Sequence, residues 1–292
     1  MTNTTAIQPL TRTLDVPGAT LTYDVRANEM STKPVLVLIG SPMGASGFET
    51  LLSHFPDRTV VTYDPRGAGR SQRTDGQIAN STEEHADDVH RVIEAVTEGR
   101  VDLFASSGGA VNALALVAAH PGQVRLLVAH EPPDAAVLPD REAAFAAVQH
   151  LYDTYQHRGF GAGMAVFIAL TSLKGPIPAD FASQPTPDPA TFGFPTADDG
   201  SRNDPLLAQN FATTHYEPDF DALRRASTRI VMAVGEASAD QLTDRTTRVI
   251  AKELGSTVIV FPGGHGGFNR SEWDPTSDPD AFAEKLRSLL DG

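Results

Sequence analysis

The stretch Val101-Asp102-Leu103-Phe104-Ala105-Ser106-Ser107-Gly108-Gly109-Ala110-Val111-Asn112 constrains the fold more tightly than any other part of the chain. It begins as an apolar run, breaks at Ser-Ser-Gly-Gly, and resumes as Ala113–Ala119, rich in alanine and leucine. The pattern reads as strand, sharp turn and helix. So abrupt a reversal needs small residues two before and two after its apex, or the strand and the helix collide. With Ser107 at the apex those positions are Ala105 and Gly109; with Ser106 there, the first would be Phe104. The spacing therefore favours Ser107 as the apex. A serine so placed stands clear of the sheet above a helix N-terminus, either as that helix's cap or as a nucleophile.

The segments around this turn repeat its rhythm. Thr11–Val16 and Ala19–Val25 flank Pro17-Gly18 as a hairpin. Val35–Ile39 and Val124–His130 are short apolar runs of the kind buried on both faces of a parallel sheet, and Thr59–Tyr63, Thr228–Val234 and Thr257–Phe261 read as further strands of it. Helical candidates lie between them: Gly47–Phe55, Ser81–Glu98 opening on the capping-box pattern Ser81-Thr82-Glu83-Glu84, Asp240–Leu254 and Ala281–Leu290. Alternation of this kind predicts an α/β fold, a mostly parallel sheet flanked by helices, with right-handed crossovers and ligands at the carboxyl ends of the strands.

Pro132 to Ala226 breaks the rhythm. It offers helices (Glu142–Tyr155, Gly163–Leu173), a Pro-, Gly- and Asp-rich passage over Lys174–Pro205, many aromatics, and no strong strand. The expected organisation is a core domain of residues 1–131 and 227–292, with residues 132–226 inserted as a helical cap. At 292 residues the chain is long enough for both.

Composition narrows the partners. Lys+Arg number 23 against 37 Asp+Glu, a net charge of −14, which argues against nucleic acid as a partner. With no cysteine there is no disulfide, thiolate metal site or thiol nucleophile. No apolar run is long enough to span a bilayer, and Met1–Leu10 is polar without a leader pattern. The expectation is a cytoplasmic protein acting on a small molecule, without membrane attachment, with a homodimer left open.

A nucleophilic serine needs a base. Of nine histidines, His85 and His90 sit on an amphipathic helix and His120 ends another. His265 follows the last strand in Pro262-Gly263-Gly264-His265-Gly266-Gly267, where glycines on both sides leave room for a ring to project. The base in turn needs a carboxylate. Glu131, at the end of the strand after the turn, is one candidate; Glu236 and Asp240, after the next strand, are the others.

The residues Ser107, Glu131 and His265 follow the chain order of an α/β-hydrolase triad, and the chain resembles that superfamily along nearly its whole length. Ala105-Ser106-Ser107-Gly108-Gly109 resembles its small-x-Ser-x-small nucleophile elbow. Asp64-Pro65-Arg66-Gly67-Ala68-Gly69-Arg70-Ser71 is similar to its Asp-x-Arg-Gly-x-Gly-x-Ser loop, and Pro262–His265 to its histidine loop. The resemblance implies an oxyanion hole made by the backbone N–H groups of Gly108 and Ser41. It departs at two places. Ile39-Gly40 stands where the family often has His-Gly, and Gly235-Glu236-Ala237-Ser238 puts a serine where the usual acid follows the seventh strand. Haloalkane dehalogenases and zearalenone-type lactonases carry the acid one strand earlier, and His130-Glu131-Pro132-Pro133 is similar to the lactonases' His-Glu-x-Pro. That likeness favours Glu131 over Glu236 or Asp240.

The implied activity is hydrolysis of an ester or lactone of a small, apolar substrate through a Ser-His-Glu triad and an acyl-enzyme, with no cofactor or metal. The alternatives are other cofactor-free reactions on the same fold (carbon–carbon or amide hydrolysis, perhydrolysis, cyanohydrin lysis) and a non-catalytic ligand receptor.

Overall fold

The computed structural model describes residues 8–209, 211–270 and 275–292, so most of the polar N-terminus lies outside the described residues. The strands are β1 (Leu10–Val16), β2 (Ala19–Arg26), β3 (Leu36–Ile39), β4 (Val60–Asp64), β5 (Gln72–Arg73), β6 (Val101–Ser106), β7 (Val124–His130), β8 (Arg229–Gly235) and β9 (Val258–Phe261). The α-helices are α1 (Glu49–Leu52), α2 (Thr82–Val96), α3 (Gly108–Ala119), α4 (Arg141–Thr171), α5 (Pro205–Gln209), α6 (Phe211–Thr214), α7 (Phe220–Arg225), α8 (Leu242–Glu253) and α9 (Pro279–Leu290).

One sheet takes all the strands, in the order β1-β2-β4-β3-β6-β7-β8-β9, with β5 paired to β2. Pairing is antiparallel where β2 meets β1, β4 and β5, and parallel from β4 through β9. Every apolar run read as a strand is one, with ends shifted by a residue at most. β5 is the exception that the sequence conceals: two polar residues carry no periodicity to detect.

The two-residue period of a strand sends alternate side chains to opposite faces. Val37, Ile39, Leu103, Ala105, Leu127, Ala129 and Met232 join one apolar cluster with α2, α3 and α8. Leu36, Leu38, Phe104, Leu126, Val128, Val231 and Ala233 join another with α1 and α9. The result is a helix–sheet–helix layering in which both sheet faces are covered. The register aligns the carboxyl ends: Ile39 pairs with Ala105, Ser106 with His130, His130 with Ala233, and Gly235 with Phe261. Whatever follows those residues is gathered along one edge.

The Asp64–Ser71 loop is a structural lock beside that edge. Asp64 accepts Ala45 N–H (2.7 Å), Arg70 N–H (2.9 Å) and Arg70 Nε (2.7 Å), tying the loop after β3 to the end of β4. The Arg66 guanidinium forks onto Asp88 of α2 with both bonds at 2.7 Å. The capping box read at Ser81 and Glu84 is formed, so α2 begins at a fixed point.

Between β7 and β8 the described residues contain helices and no strand. The two helical stretches read there form one run, α4, broken at Gly159, whose φ of +81° no other residue adopts cheaply. This segment has its own apolar cluster around Leu138, Ala147, Leu151, Tyr155, Leu170, Phe181 and Leu207. Among the described residues no helix is long and apolar enough to cross a membrane.

Asp134, three residues past Glu131, is fully buried; one carboxyl oxygen accepts Ala136 N–H at 3.3 Å and the other has no partner. Burial pushes its pKa up to about 8, opposed by the Ala136 bond and reinforced by the charge of Glu217. The folded protein therefore holds a proton there that the unfolded chain releases above the ordinary aspartate range near 3.8. Stability from this group is complete below that range and falls as pH rises toward 8. Replacing Asp134 with Asn removes the penalty. We expect D134N to melt at least about 2 °C higher than the wild type at pH 8, with the gap shrinking toward zero at pH 4, as read by thermal unfolding at the two pH values.

Candidate active site

The turn between β6 and α3 is as tight as its sequence demands. Ser107 has φ +58° and ψ −132°, its N–H donates to the His130 carbonyl at 2.9 Å, and its own carbonyl accepts Ala110 N–H at 2.9 Å. A Cβ at Gly109 would stand 2.8 Å from Gly40 Cα and 2.9 Å from the Ile39 carbonyl, so backbone meets backbone there. Ala105, on the other side of the apex, is completely buried. Ser107 makes no side-chain hydrogen bond to cap α3, and it lines a cavity of about 240 Å³. Ser106 is instead buried below, its Oγ 3.3 Å from His130 Nδ1. A backbone held at positive φ by a non-glycine residue is strained, and such strain clusters where side-chain direction matters.

Glu131 shares this property, with φ +52°. Its N–H pairs with the Ala233 carbonyl at 3.0 Å, continuing the β7–β8 ladder by one residue. The Pro132-Pro133 pair then takes the chain out of the sheet. The Glu131 side chain is fully buried. Oε1 accepts Gly235 N–H at 2.8 Å; Oε2 accepts the Thr243 hydroxyl at 2.8 Å and faces His265 Nδ1 at 2.5 Å. Burial works against the charge of this carboxylate. The His265 hydrogen bond, the charges of His265 and His130, and nearby Ser238 outweigh it and hold the pKa well below the ordinary glutamate range. Ser238 Oγ itself is buried without a hydrogen bond of acceptable geometry.

His265 sits on the glycine-rich loop after β9, its side chain 46% exposed and its ring on the cavity wall. Nδ1 is committed to Glu131, which puts Nε2 on the opposite side of the ring. His130 stacks on it with ring centroids 6.2 Å apart. His130 is wholly buried, and burial pushes its pKa down to about 4, with Glu131 opposing and His265 adding to the shift.

Ser41 and Gly108 both border the cavity, and a Cβ at Gly108 would lie 2.7 Å from the Ser41 carbonyl. The structure thus brings Ser107, His265, Glu131, Gly108 and Ser41 to one end of the sheet. It does not bring the rival carboxylates there in the same way: Glu236 and Asp240 are exposed, while Glu131 is buried against the ring.

Two features of the wall go beyond the sequence reading. Of the aromatics in the inserted segment, Phe167 lines the cavity, but Tyr155 and Phe181 belong to the segment's own core, and Tyr152–Phe211 and Phe160–Phe194 pack edge-on. The apolar wall is built largely from Val148, Leu170, Leu206 and Leu242. His85, read as one more residue of an amphipathic helix, is buried and lines the cavity. Its helical spacing to Val89 and Val92, both core residues, is the signal that places it on the inner face. Thr243 has no such signal, since its role depends on where β7 ends.

The family model described as the alpha/beta hydrolase fold matches residues 33–268. The uncharacterized hydrolase YraK of Bacillus subtilis (strain 168) is 29% identical over 286 residues, covering 96% of this chain and 95% of its own. An esterase from Exiguobacterium antarcticum has a similar structure, with a TM-score of 0.66 at 19% identity, over 95% of this chain and 97% of that one. A solved enzyme described as degrading N-acyl homoserine lactones gives 0.62 at 20% identity, over 95% and 100%. The chain belongs to the α/β-hydrolase family. It is a hydrolase of that fold.

The close approach at Gly109 predicts a specific sensitivity. A Cβ there meets backbone that cannot swing aside, so G109A forces α3 away from β3, costing about 1–3 kcal/mol. Denaturant unfolding should report that loss.

Proposed function

We propose that the chain is a serine esterase or lactonase acting on a small, uncharged, largely apolar substrate, with Ser107 as nucleophile, His265 as base and Glu131 as its orienting acid. The observation that carries this reading is the 2.5 Å contact between His265 Nδ1 and the buried Glu131 carboxylate, on the wall of the same cavity that Ser107 borders. An ionised carboxylate on Nδ1 keeps the proton on that nitrogen and leaves Nε2 basic.

The reaction then proceeds in two halves. Ser107 Oγ attacks the carbonyl carbon while Nε2 takes its proton. The Gly108 and Ser41 N–H groups hold the oxyanion, the first of them drawn from the unpaired donors that begin α3. Collapse breaks the ester bond, and Nε2 returns the proton to the departing alkoxide. Water enters, gives its proton to Nε2 and attacks the acyl-enzyme; collapse breaks the acyl–Oγ bond, Nε2 returns the proton to Ser107 Oγ, and the acid leaves. The strongly acidic shift at Glu131 keeps it charged throughout, balancing the imidazolium. These steps call for no cofactor. Residues 132–226 serve as a cap over the site, since Val148, Phe167, Leu170 and Leu206 contribute its apolar wall.

The tests separate the roles. A fluorophosphonate probe should label folded wild-type protein and leave Ser107→Ala unlabelled; labelling elsewhere, or none, overturns the nucleophile. On p-nitrophenyl esters and a panel of lactones, Glu131→Gln should lower kcat/KM by about 10²–10⁴, while Asp240→Asn stays within about twofold of wild type. The reverse ranking would move the acid to the strand after.

A further inference from the structure

We propose that His85 is a substrate-reading residue, donating a hydrogen bond from its ring to an uncharged oxygen acceptor, a carbonyl or hydroxyl, carried by the substrate away from its scissile bond. The inference rests on the cavity being the substrate site proposed above, and it narrows the substrate from an apolar ester to one bearing a second neutral oxygen.

The position of His85 comes from two fixed points. The α2 capping box sets where the helix begins, and Thr82 Oγ1 donates to the Ala212 carbonyl of α6 at 2.9 Å, closing the helix N-terminus onto the inserted segment. His85 lies one turn further in, on the face that carries Val89 and Val92 into the core. It is 3% exposed and lines the cavity. Its Nδ1 is sealed among protein atoms without a partner, which leaves Nε2 as the nitrogen able to reach the cavity's contents.

The protonation state follows from the surroundings. Burial, helped by the guanidinium charges of Arg66 and Arg73, pushes the ring's pKa down to about 3, so the imidazole is neutral at working pH. A neutral imidazole carries one N–H. A buried N–H without an acceptor is costlier than an unused lone pair, so the proton belongs on Nε2 and the sealed nitrogen keeps the lone pair. The ring therefore offers the cavity a donor. The cavity's described lining contains no Asp, Glu, Lys or Arg, although the chain as a whole is strongly acidic. An ionic group on the substrate would find no counter-charge there, and a neutral acceptor finds His85.

Matched ligands test this without depending on turnover. In the Ser107→Ala protein, binding of methyl hexanoate and of methyl 3-, 4- and 5-oxohexanoate is measured by calorimetric titration. At least one keto ester should bind roughly tenfold more tightly than the plain ester. Adding His85→Phe, which keeps a ring and removes its nitrogens, should bring that ratio to within about twofold, and His85→Leu should do the same. Equal binding of all four esters to Ser107→Ala, or a ratio that survives both substitutions, overturns the assignment. The wild-type enzyme is assayed beside this on the corresponding p-nitrophenyl esters. Discrimination in binding with no turnover of any ester would leave His85 in place and overturn the esterase reading. Turnover without discrimination would do the opposite.

Discussion

The buried Glu131 carboxylate ties together three elements at the carboxyl end of the sheet. One side chain accepts from the N–H that ends β8, from a hydroxyl in the first turn of α8, and from the ring on the loop after β9. Its backbone meanwhile extends the β7–β8 pairing. A carboxylate removed from water is stable only where its lone pairs are taken up by donors. The donors available here come from three separate elements, so satisfying the charge and aligning those elements are the same event. The energetic asymmetry is steep: taking away one partner leaves a buried charge short of a donor, which costs more than the bond itself contributes. This gives a physical reason for the ring of His265 to face Glu131 even though nearly half of its side chain is exposed.

The elbow obeys the same economy in backbone geometry. Ser107 and Glu131 both hold left-handed φ without being glycine, and they follow directly on the paired residues Ser106 and His130 of adjacent strands. Each lies where the chain must leave the sheet at once. At Ser107 the departure is into α3, packed so closely that Gly109 touches Gly40; at Glu131 it is into two prolines. Two strained residues side by side on neighbouring strands hold the serine and the carboxylate in fixed directions, and the parallel ladder between them supplies the rigidity that maintains the strain.

Much of this was legible in the sequence, for identifiable reasons. Parallel strands at the centre of the sheet are short apolar runs bounded by turn residues, so β3, β6, β7 and β8 stood out, while β9, at the sheet edge with Val260 exposed, is only partly buried. Ser107 was separable from Ser106 because Phe104 could not occupy the crowded place before the turn. The site's polar surroundings were harder to see. Thr243 reaches Glu131 from a helix one strand away in the sheet, a contact that no local pattern encodes. His85 carried a readable helical period, but an inward-facing histidine looks like any other residue of an amphipathic helix until the cavity beside it is known. The aromatics of the inserted segment divide between two roles that their number alone does not separate: Tyr155 and Phe181 are buried in that segment's own small core, while Phe167 lines the cavity.

The serine at position 238 also acquires a physical meaning. β7 and β8 are neighbouring parallel strands in register, His130 opposite Ala233, so their carboxyl ends lie about 5 Å apart. A carboxylate that follows β8 starts one strand nearer to the loop after β9 than one that follows β7. Glu131 holds the imidazole from the β7 side rather than from the β8 side. That placement also changes what the place after β8 requires. With Glu131 already satisfied by Gly235 and Thr243, a second carboxylate at position 238 would set two like charges close together in a buried space and push one of them toward protonation. A small side chain avoids that repulsion, and Ser238, 1% exposed and near enough to Glu131 to favour its charge, fits the space that remains.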